Sequence, residues 1–338
     1  MLINSFDLNE RVLIVAEIGN NHEGSYALAE ELISVAAQAG AGAVKFQTII
    51  PEKLVSVQQT DRVQQLERFR FSYEEFERLS LTAKREGVLF LSTPFDLESA
   101  GFLDKLVPAF KISSGDNNFF PLLGVVAQTG KPIILSAGLT DMNEITRSKE
   151  FIENVWREHG ISQGMAVLHC VANYPVSPEE ANLLVISELR ERLGVTVGYS
   201  DHTLGLEAAV LSVALGARIV EKHFTIDKNY SDFRDHHLSA DPKDMAELVR
   251  LINGIDELLG ERDKKPTKSE VENILRMRRS IVAGHDIPAG TVIQWTDLNW
   301  VRPGGGLAPG REPELIGKEL LRAISSGEKI SPEDLREE

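Results

Sequence analysis

Cysteine occurs once in the 338 residues, at Cys170, so no disulfide within the chain can brace the fold. No apolar run approaches the ~20 residues that a helix needs to cross a bilayer, so no membrane span is expected. Basic residues are also short: 36 Lys and Arg stand against 51 Asp and Glu, for a net charge of −15 and a pI near 5.1. A nucleic-acid partner is excluded on that balance, because binding a phosphate backbone needs clustered Lys and Arg. An anionic small molecule would need a local positive pocket instead. No repeat of fixed period and no low-complexity tract occurs, which excludes a solenoid. The opening residues MLINSFDLNERV lack a basic segment followed by an apolar one, and with the single thiol this sets a cytoplasmic expectation.

What is present is a recurring pattern. Eight short runs rich in Val and Ile, each followed by helical periodicity, read as βα units of a parallel sheet. They are VLIVAEI (Val12 to Ile18), AVKFQT (Ala43 to Thr48), VLFLST (Val88 to Thr93), AFKISS (Ala109 to Ser114), PIILSA (Pro132 to Ala137), MAVLHC (Met165 to Cys170), VTVGYS (Val195 to Ser200) and RIVEKHF (Arg218 to Phe224). Eight closes a barrel, and the expected fold is a (β/α)8 TIM barrel over residues 1–260. About 40 residues separate the second and third runs, more than a βα connection needs. Its polar part, VSVQQTDRVQQLERFR, predicts an excursion over one barrel end. Residues 261–280 are charged and poor in large apolar side chains, as in a linker, and RMRRS (Arg276 to Ser280) reads as solvated. Residues 281–338 read as a small β-rich module broken by Pro and Gly, with a marginal core of its own.

Ligands bind a βα barrel at the C-terminal ends of its strands. Taken in order, those ends carry Glu17, Lys45 and Gln47, Thr93, Lys111 with Ser113 and Ser114, Ser136, His169, His202, and Glu221, Lys222 and His223. A packed interior has no reason to place a polar residue at all eight ends, because each unpartnered one costs about 1–3 kcal/mol. One strand-end Lys or Ser is ordinarily a solvated loop edge; eight together imply a shared pocket. Lys45, Lys111, Thr93, Ser114 and Ser136 supply the cations and hydroxyls that hold a phosphate or carboxylate. His202 and His223, ending adjacent strands, suit one divalent cation with positions left open for water or substrate. Glu17 offers a carboxylate to orient a hydroxyl or move a proton. His22 and His169 stay open between structural and functional roles, His159 and His285 read as surface, and Cys170 reads as a small buried apolar residue.

In this order AEIGNNHEG, VKFQT, STPFD, KISSGD, HCVANYPVSPEEANL, GYSDHT and EKHFTIDK with DHHLSADP resemble the sialic acid synthase family. That family comprises N-acetylneuraminate, legionaminate and related nonulosonate synthases and spore-coat polysaccharide enzymes. The tail RRSIVAGHDIPAGTVI with RPGGGLAP is similar to the family's antifreeze-like (SAF) domain, so the resemblance spans nearly the whole chain.

The resemblance implies a transferase that condenses phosphoenolpyruvate with the open-chain aldehyde of an N-acylmannosamine-type or diacetamido sugar and releases inorganic phosphate by C–O cleavage. It implies a divalent metal, Mn2+ foremost with Mg2+ or Co2+ as alternatives, held by His202 and His223. Lys45, Thr93, Lys111, Ser114 and Ser136 would hold phosphoenolpyruvate. Glu17, Gln47, Tyr174 and Asp235 would face the sugar, and Asp116 occupies the acidic position after SG. Arg302 would reach the sugar from the small domain of the partner in a domain-swapped homodimer. One departure is Val171 and Ala172 after HC, where many relatives carry Thr followed by a small polar residue or Asn. The contact to phosphoenolpyruvate made by that Asn is absent at Ala172. Two rivals remain: another barrel that joins phosphoenolpyruvate to an aldose phosphate, and a non-catalytic carbohydrate-binding protein.

Overall fold

The computed structural model describes residues 1–336, apart from the side chain of residue 234. The chain divides into two compact units, Met1–Gly260 and the remainder from Glu261. In the first unit a hairpin of β1 (Leu2–Ile3) and β2 (Phe6–Asp7) precedes eight parallel strands. These are β3 (Leu13–Gly19), β4 (Ala43–Thr48), β5 (Leu89–Pro94), β6 (Phe110–Ile112), β7 (Ile133–Ser136), β8 (Met165–Cys170), β9 (Thr196–Asp201) and β10 (Ile219–His223). The ladder runs β5-β4-β3-β10-β9-β8-β7-β6, and its two end strands pack side by side, giving the TIM-like barrel that the eight apolar runs predict.

Strand side chains alternate between faces, and this decides what each residue does. Outward positions such as Ile14, Ala16, Ile18, Val44 and Phe46 pack with the surrounding helices. Inward positions Leu13, Val15, Ala43, Leu91, Ala109, Ile134, Ala166, Leu168 and Ile219 form a second apolar cluster inside the barrel. Ile3 and Leu8 of the hairpin segment join that cluster and close the barrel floor. Arg218 fastens the segment by donating from Nε to the Leu8 carbonyl at 2.7 Å. Gly198 shows how tight the interior is, since a Cβ there would lie 2.5 Å from the Ile219 carbonyl oxygen and 2.4 Å from Leu168 Cδ2.

Two acidic residues of the family motifs serve the helices. Asp96 of STPFD caps Leu97–Leu103 and Asp241 of SADP caps Pro242–Asn253, each accepting from two backbone N–H groups. The long connection after β4 adds helices Pro51–Leu54 and Thr60–Glu67 before the barrel helix Tyr73–Arg85. Phe69, just beyond the second of them, meets Phe233 of the loop after β10 with ring centroids 5.2 Å apart, so the excursion does lie at the C-terminal end of the barrel.

In the second unit β11 (Ser280–Ala283) pairs antiparallel with β12 (Leu298–Val301) over a small apolar core that includes Ile281, Ile293, Leu315 and Ile330. The stretch read as a linker contains a helix, Lys268–Met277, whose N-terminus carries a capping box of Thr267 and Glu270. Its charged composition marks a solvated helix, since none of its residues is buried. Among the described residues no helix is long and apolar enough to cross a membrane.

Among the polar strand-end residues, Lys222 turns away from the interior. Lys222 lies between the inward residues Glu221 and His223, so alternation sends it outward, where Nζ meets Asp201 Oδ2 at 2.7 Å and the Thr203 carbonyl at 2.9 Å. Asp201 also accepts from the N–H and hydroxyl of Thr203. Both partners are buried. Replacing Lys222 by Met leaves Asp201 without its counter-ion, and the expected cost is about 3–5 kcal/mol of unfolding free energy, checked by a denaturant midpoint.

Candidate active site

Two residues above the apolar layer, the barrel interior becomes polar. A cavity of about 290 Å³ opens at the strand C-terminal ends. Glu17, Lys45, Gln47, Thr93, Lys111, Ser114, Ser136, Tyr174, His202 and His223, ten of the residues singled out from the sequence, line it together.

At its centre are four buried charged groups. Lys45 Nζ stands 2.8 Å from Glu17 Oε2 and 3.6 Å from Glu221 Oε1, and Lys111 Nζ stands 3.4 Å from the same Glu221 oxygen. Hydroxyls complete the cluster. Lys111 donates to Ser136 Oγ at 2.7 Å, Lys45 to Thr93 Oγ1 at 3.3 Å, and Ser200 to Glu221 at 3.0 Å. Burial lifts the Glu17 carboxyl to about 7, against the pull of Lys45 and with help from the Glu221 charge. Burial acts on Glu221 in the same sense, but Lys111, Lys45 and Ser200 outweigh it and hold Glu221 below the usual carboxylate range. Lys45 is raised, because Glu17 and Glu221 overcome its burial, whereas burial leaves Lys111 lowered. The cavity thus holds two cations, one firm carboxylate and one carboxyl poised near neutrality.

In the same cavity the rings of His202 and His223 lie 5.4 Å apart, and Tyr174 packs on His202 at 4.1 Å and meets His223 edge-on at 5.8 Å. His202 Nδ1 lies 2.8 Å from the Val171 carbonyl, so it carries the hydrogen and donates, leaving Nε2 with a lone pair. Burial lowers the His202 pKa and keeps the ring neutral. Among the described residues no third His, Cys, Asp or Glu joins them in a metal-holding group. This donor set fits a divalent cation in an open site, with positions left for substrate oxygens, and does not fit a closed structural site.

Other residues named from the sequence are not among those lining this cavity. Asp116 is not in the lining itself but accepts at 2.5 Å from Oγ of Ser113, which is. Asp235 lines a separate cavity with Asn20 and Arg62. Arg302 is exposed in the second unit. His169 bonds the Ala181 carbonyl at 2.8 Å and stacks on Tyr199, so its place is structural and not at the shared pocket. His22 is likewise structural, stacked on Phe71 at 4.2 Å, and burial pushes its pKa down to about 3. Glu221 was visible as a strand-end residue yet not among the candidate site residues; strict alternation from His223 would have placed it inside. The same rule applied from His202 finds Ser200. Cys170 and Ala172 also line the cavity, so the departure from the family pattern falls within the site.

Glu17 makes this geometry testable. Its folded pKa, about 7, lies above the ordinary 4.5, so its contribution to stability is fully present below about 4.5 and is lost as pH rises through about 7. The stability of the native protein relative to Glu17→Gln is therefore expected to fall across that window and level off above it, as measured by denaturant midpoints from pH 4 to 9.

Comparison with known proteins places the chain. Residues 32–264 match the NeuB family and residues 278–336 match the SAF domain. An N,N'-diacetyllegionaminic acid synthase of Campylobacter jejuni is 36% identical over 335 residues, covering 95% of this chain and 99% of the other. The N-acetylneuraminate-9-phosphate synthase of Mus musculus is 31% identical over 338 residues, covering 95% and 92%. The solved structure of N-acetylneuraminic acid (sialic acid) synthetase from Leptospira borgpetersenii, in complex with citrate, superposes with a TM-score of 0.76 at 34% identity, covering 81% of this chain and 94% of that one. With motifs, barrel and small domain in agreement, the chain belongs to the NeuB family of sialic acid synthases and carries a C-terminal SAF domain.

Proposed function

We propose that this chain is a nonulosonic acid synthase that condenses phosphoenolpyruvate with the aldehyde of an N-acylmannosamine-type or diacetamido sugar and releases inorganic phosphate. The observation that carries this is the joining, in one cavity, of an anion pocket and a pair of imidazoles able to hold a cation. The relatives' names, which include legionaminic and N-acetylneuraminate-9-phosphate synthases, support it.

Lys45 and Lys111, with Thr93, Ser114 and Ser136, hold the phosphate and carboxylate of phosphoenolpyruvate and fix its C3 toward the sugar. Ala172 makes no polar contact of its own there, so the lysines and hydroxyls carry the anion. His202 and His223 would hold Mn2+, Mg2+ or Co2+, which when bound supplies a Lewis acid for the aldehyde oxygen. Glu17, protonated in part at neutral pH, gives its proton to that oxygen as C3 bonds to the aldehyde carbon. The resulting carboxylate then takes one proton from the water that adds at C2, and as the C2–O bond to phosphate breaks the new C2 hydroxyl becomes the ketone and gives its proton to the leaving phosphate. Gln47 and Tyr174 face the sugar from the cavity wall, with Asp235 and Asp116 outside it. The homodimer, with Arg302 reaching a partner's sugar, belongs to the same proposal, as does a cytoplasmic setting. The exposed Val271, Leu275 and Met277 on helix Lys268–Met277 support a second copy as the covering surface.

Purified protein with phosphoenolpyruvate and a panel of N-acyl hexosamines is expected to release inorganic phosphate, and a chelator to stop it. His202→Ala is expected to lower kcat by on the order of 10³ with circular dichroism unchanged. Normal turnover by that variant refutes the metal role. Binding of the phosphoenolpyruvate anion beside Glu17 disfavours its ionised form, so calorimetry at pH 7 to 8 should show proton uptake on binding and weaker affinity as pH rises. Glu17→Gln should remove both effects.

A further inference from the structure

In the barrel ladder β6 is an end strand, bonded through three register pairs to β7, the last of them Ile112 with Leu135. Ser114 and Ser136, two of the hydroxyls proposed to hold the anion, both lie beyond that pair. Side chains join the two segments there. Asn117, nearly inaccessible to water at 4% exposure, follows the short turn Ser114–Asp116 and reaches across to the end of β7. Its Nδ2 donates to the Ser136 carbonyl at 3.2 Å and to the Gly138 carbonyl at 2.9 Å. Both amide hydrogens are thereby spent on the carbonyls either side of Ala137. In the other direction the Gly138 N–H donates to Ser114 Oγ at 3.1 Å. The approach is close, since a Cβ on Gly138 would lie 2.5 Å from Ser114 Oγ and 3.0 Å from Ser114 Cβ, a clash that only glycine avoids.

These ties decide what the two hydroxyls present. Ser114 Oγ accepts from Gly138 and Ser136 Oγ accepts from Lys111 at 2.7 Å, so the hydrogen of each hydroxyl is what it can give a ligand. Both serines line the catalytic cavity and Asn117 does not, so any effect it has on a ligand passes through them. Leu139, next after Gly138, is exposed, lines the same cavity and sits at φ 59°, a left-handed conformation that leucine keeps only where its surroundings impose it. Ala172 brings no polar side chain to the cavity, so the anion depends on how well the remaining hydroxyls and lysines are aimed. We infer that Asn117 is a positioning residue for phosphoenolpyruvate: its buried amide locks the Ser114 turn to the end of β7 and keeps Ser114 and Ser136 directed into one cavity.

This inference rests on the synthase reading, and binding measured apart from turnover separates the two. Native protein, Asn117→Leu, the pair Ser114→Ala with Ser136→Ala, and all three changes combined are titrated calorimetrically with phosphoenolpyruvate alone. Asn117→Leu keeps the side chain's size and removes its donors. It is expected to weaken phosphoenolpyruvate about tenfold while KM of the sugar stays within about twofold of native. Once both serines are alanine, the same change is expected to cause no further weakening. A loss of stability alone would not show that dependence on two hydroxyls. Asn117→Thr, which retains one donor, is expected to fall between native and Asn117→Leu, and it takes over the cycle if the leucine variant does not fold. Native affinity in a folded Asn117 variant overturns the inference, as does an equal loss with and without the serines, and the synthase reading survives either result. Native protein that neither binds phosphoenolpyruvate nor releases phosphate with any N-acyl hexosamine overturns both.

Discussion

Four charges confined above an apolar floor set the terms for everything else in the barrel. Glu17, Lys45, Glu221 and Lys111 are all nearly inaccessible to water, and each is tolerable there only because the others are within a few ångströms. Removing any one would strand a partner at a cost of several kcal/mol, so the cluster fixes the strand ends that carry it. The same closeness gives the site its chemistry. A cavity that balances two ammonium groups with two carboxyls can admit a polyanion by letting one carboxyl take up a proton, and Glu17 is the one held near that point.

The barrel was legible because its strands are buried on both faces and so read as apolar runs bounded by Gly, Pro and polar residues. All eight runs became strands, with ends shifted by a residue or two. The site was legible in most of its members, since strand ends converge wherever the barrel closes. What escaped was parity. EKH looked like three inward groups, but a pleated strand sends Lys222 outward to Asp201 and leaves only Glu221 and His223 inside. His169 misled for the same reason: Ala166, Leu168 and Cys170 take the inward positions of its strand, so alternation sends His169 outward, where it bonds the Ala181 carbonyl in the following loop.

Elements without a repeating pattern were harder to see. The hairpin Leu2–Asp7 has two-residue strands, too short for alternation to register. Helix Lys268–Met277 has the charge of a solvated segment, and only the capping pair Thr267 and Glu270 signals it in the sequence. The excursion after β4 was evident from its length, but no periodicity could say that it would meet Phe233 across the barrel mouth. That contact brings together residues more than 160 positions apart, and long-range packing of this kind is settled by tertiary fit alone.

The hairpin at the floor carries a consequence for the charges two layers above. Ile3 and Leu8 seal the barrel from below, so water, protons and ligands have one way in, past the loops at the mouth. An insulated base keeps the local dielectric low, which is the condition that raises Glu17 at all. Shortening the first turn of the chain would therefore act as a leak at a distance, returning the carboxyl toward its behaviour in open solution without touching a single group that meets the ligand.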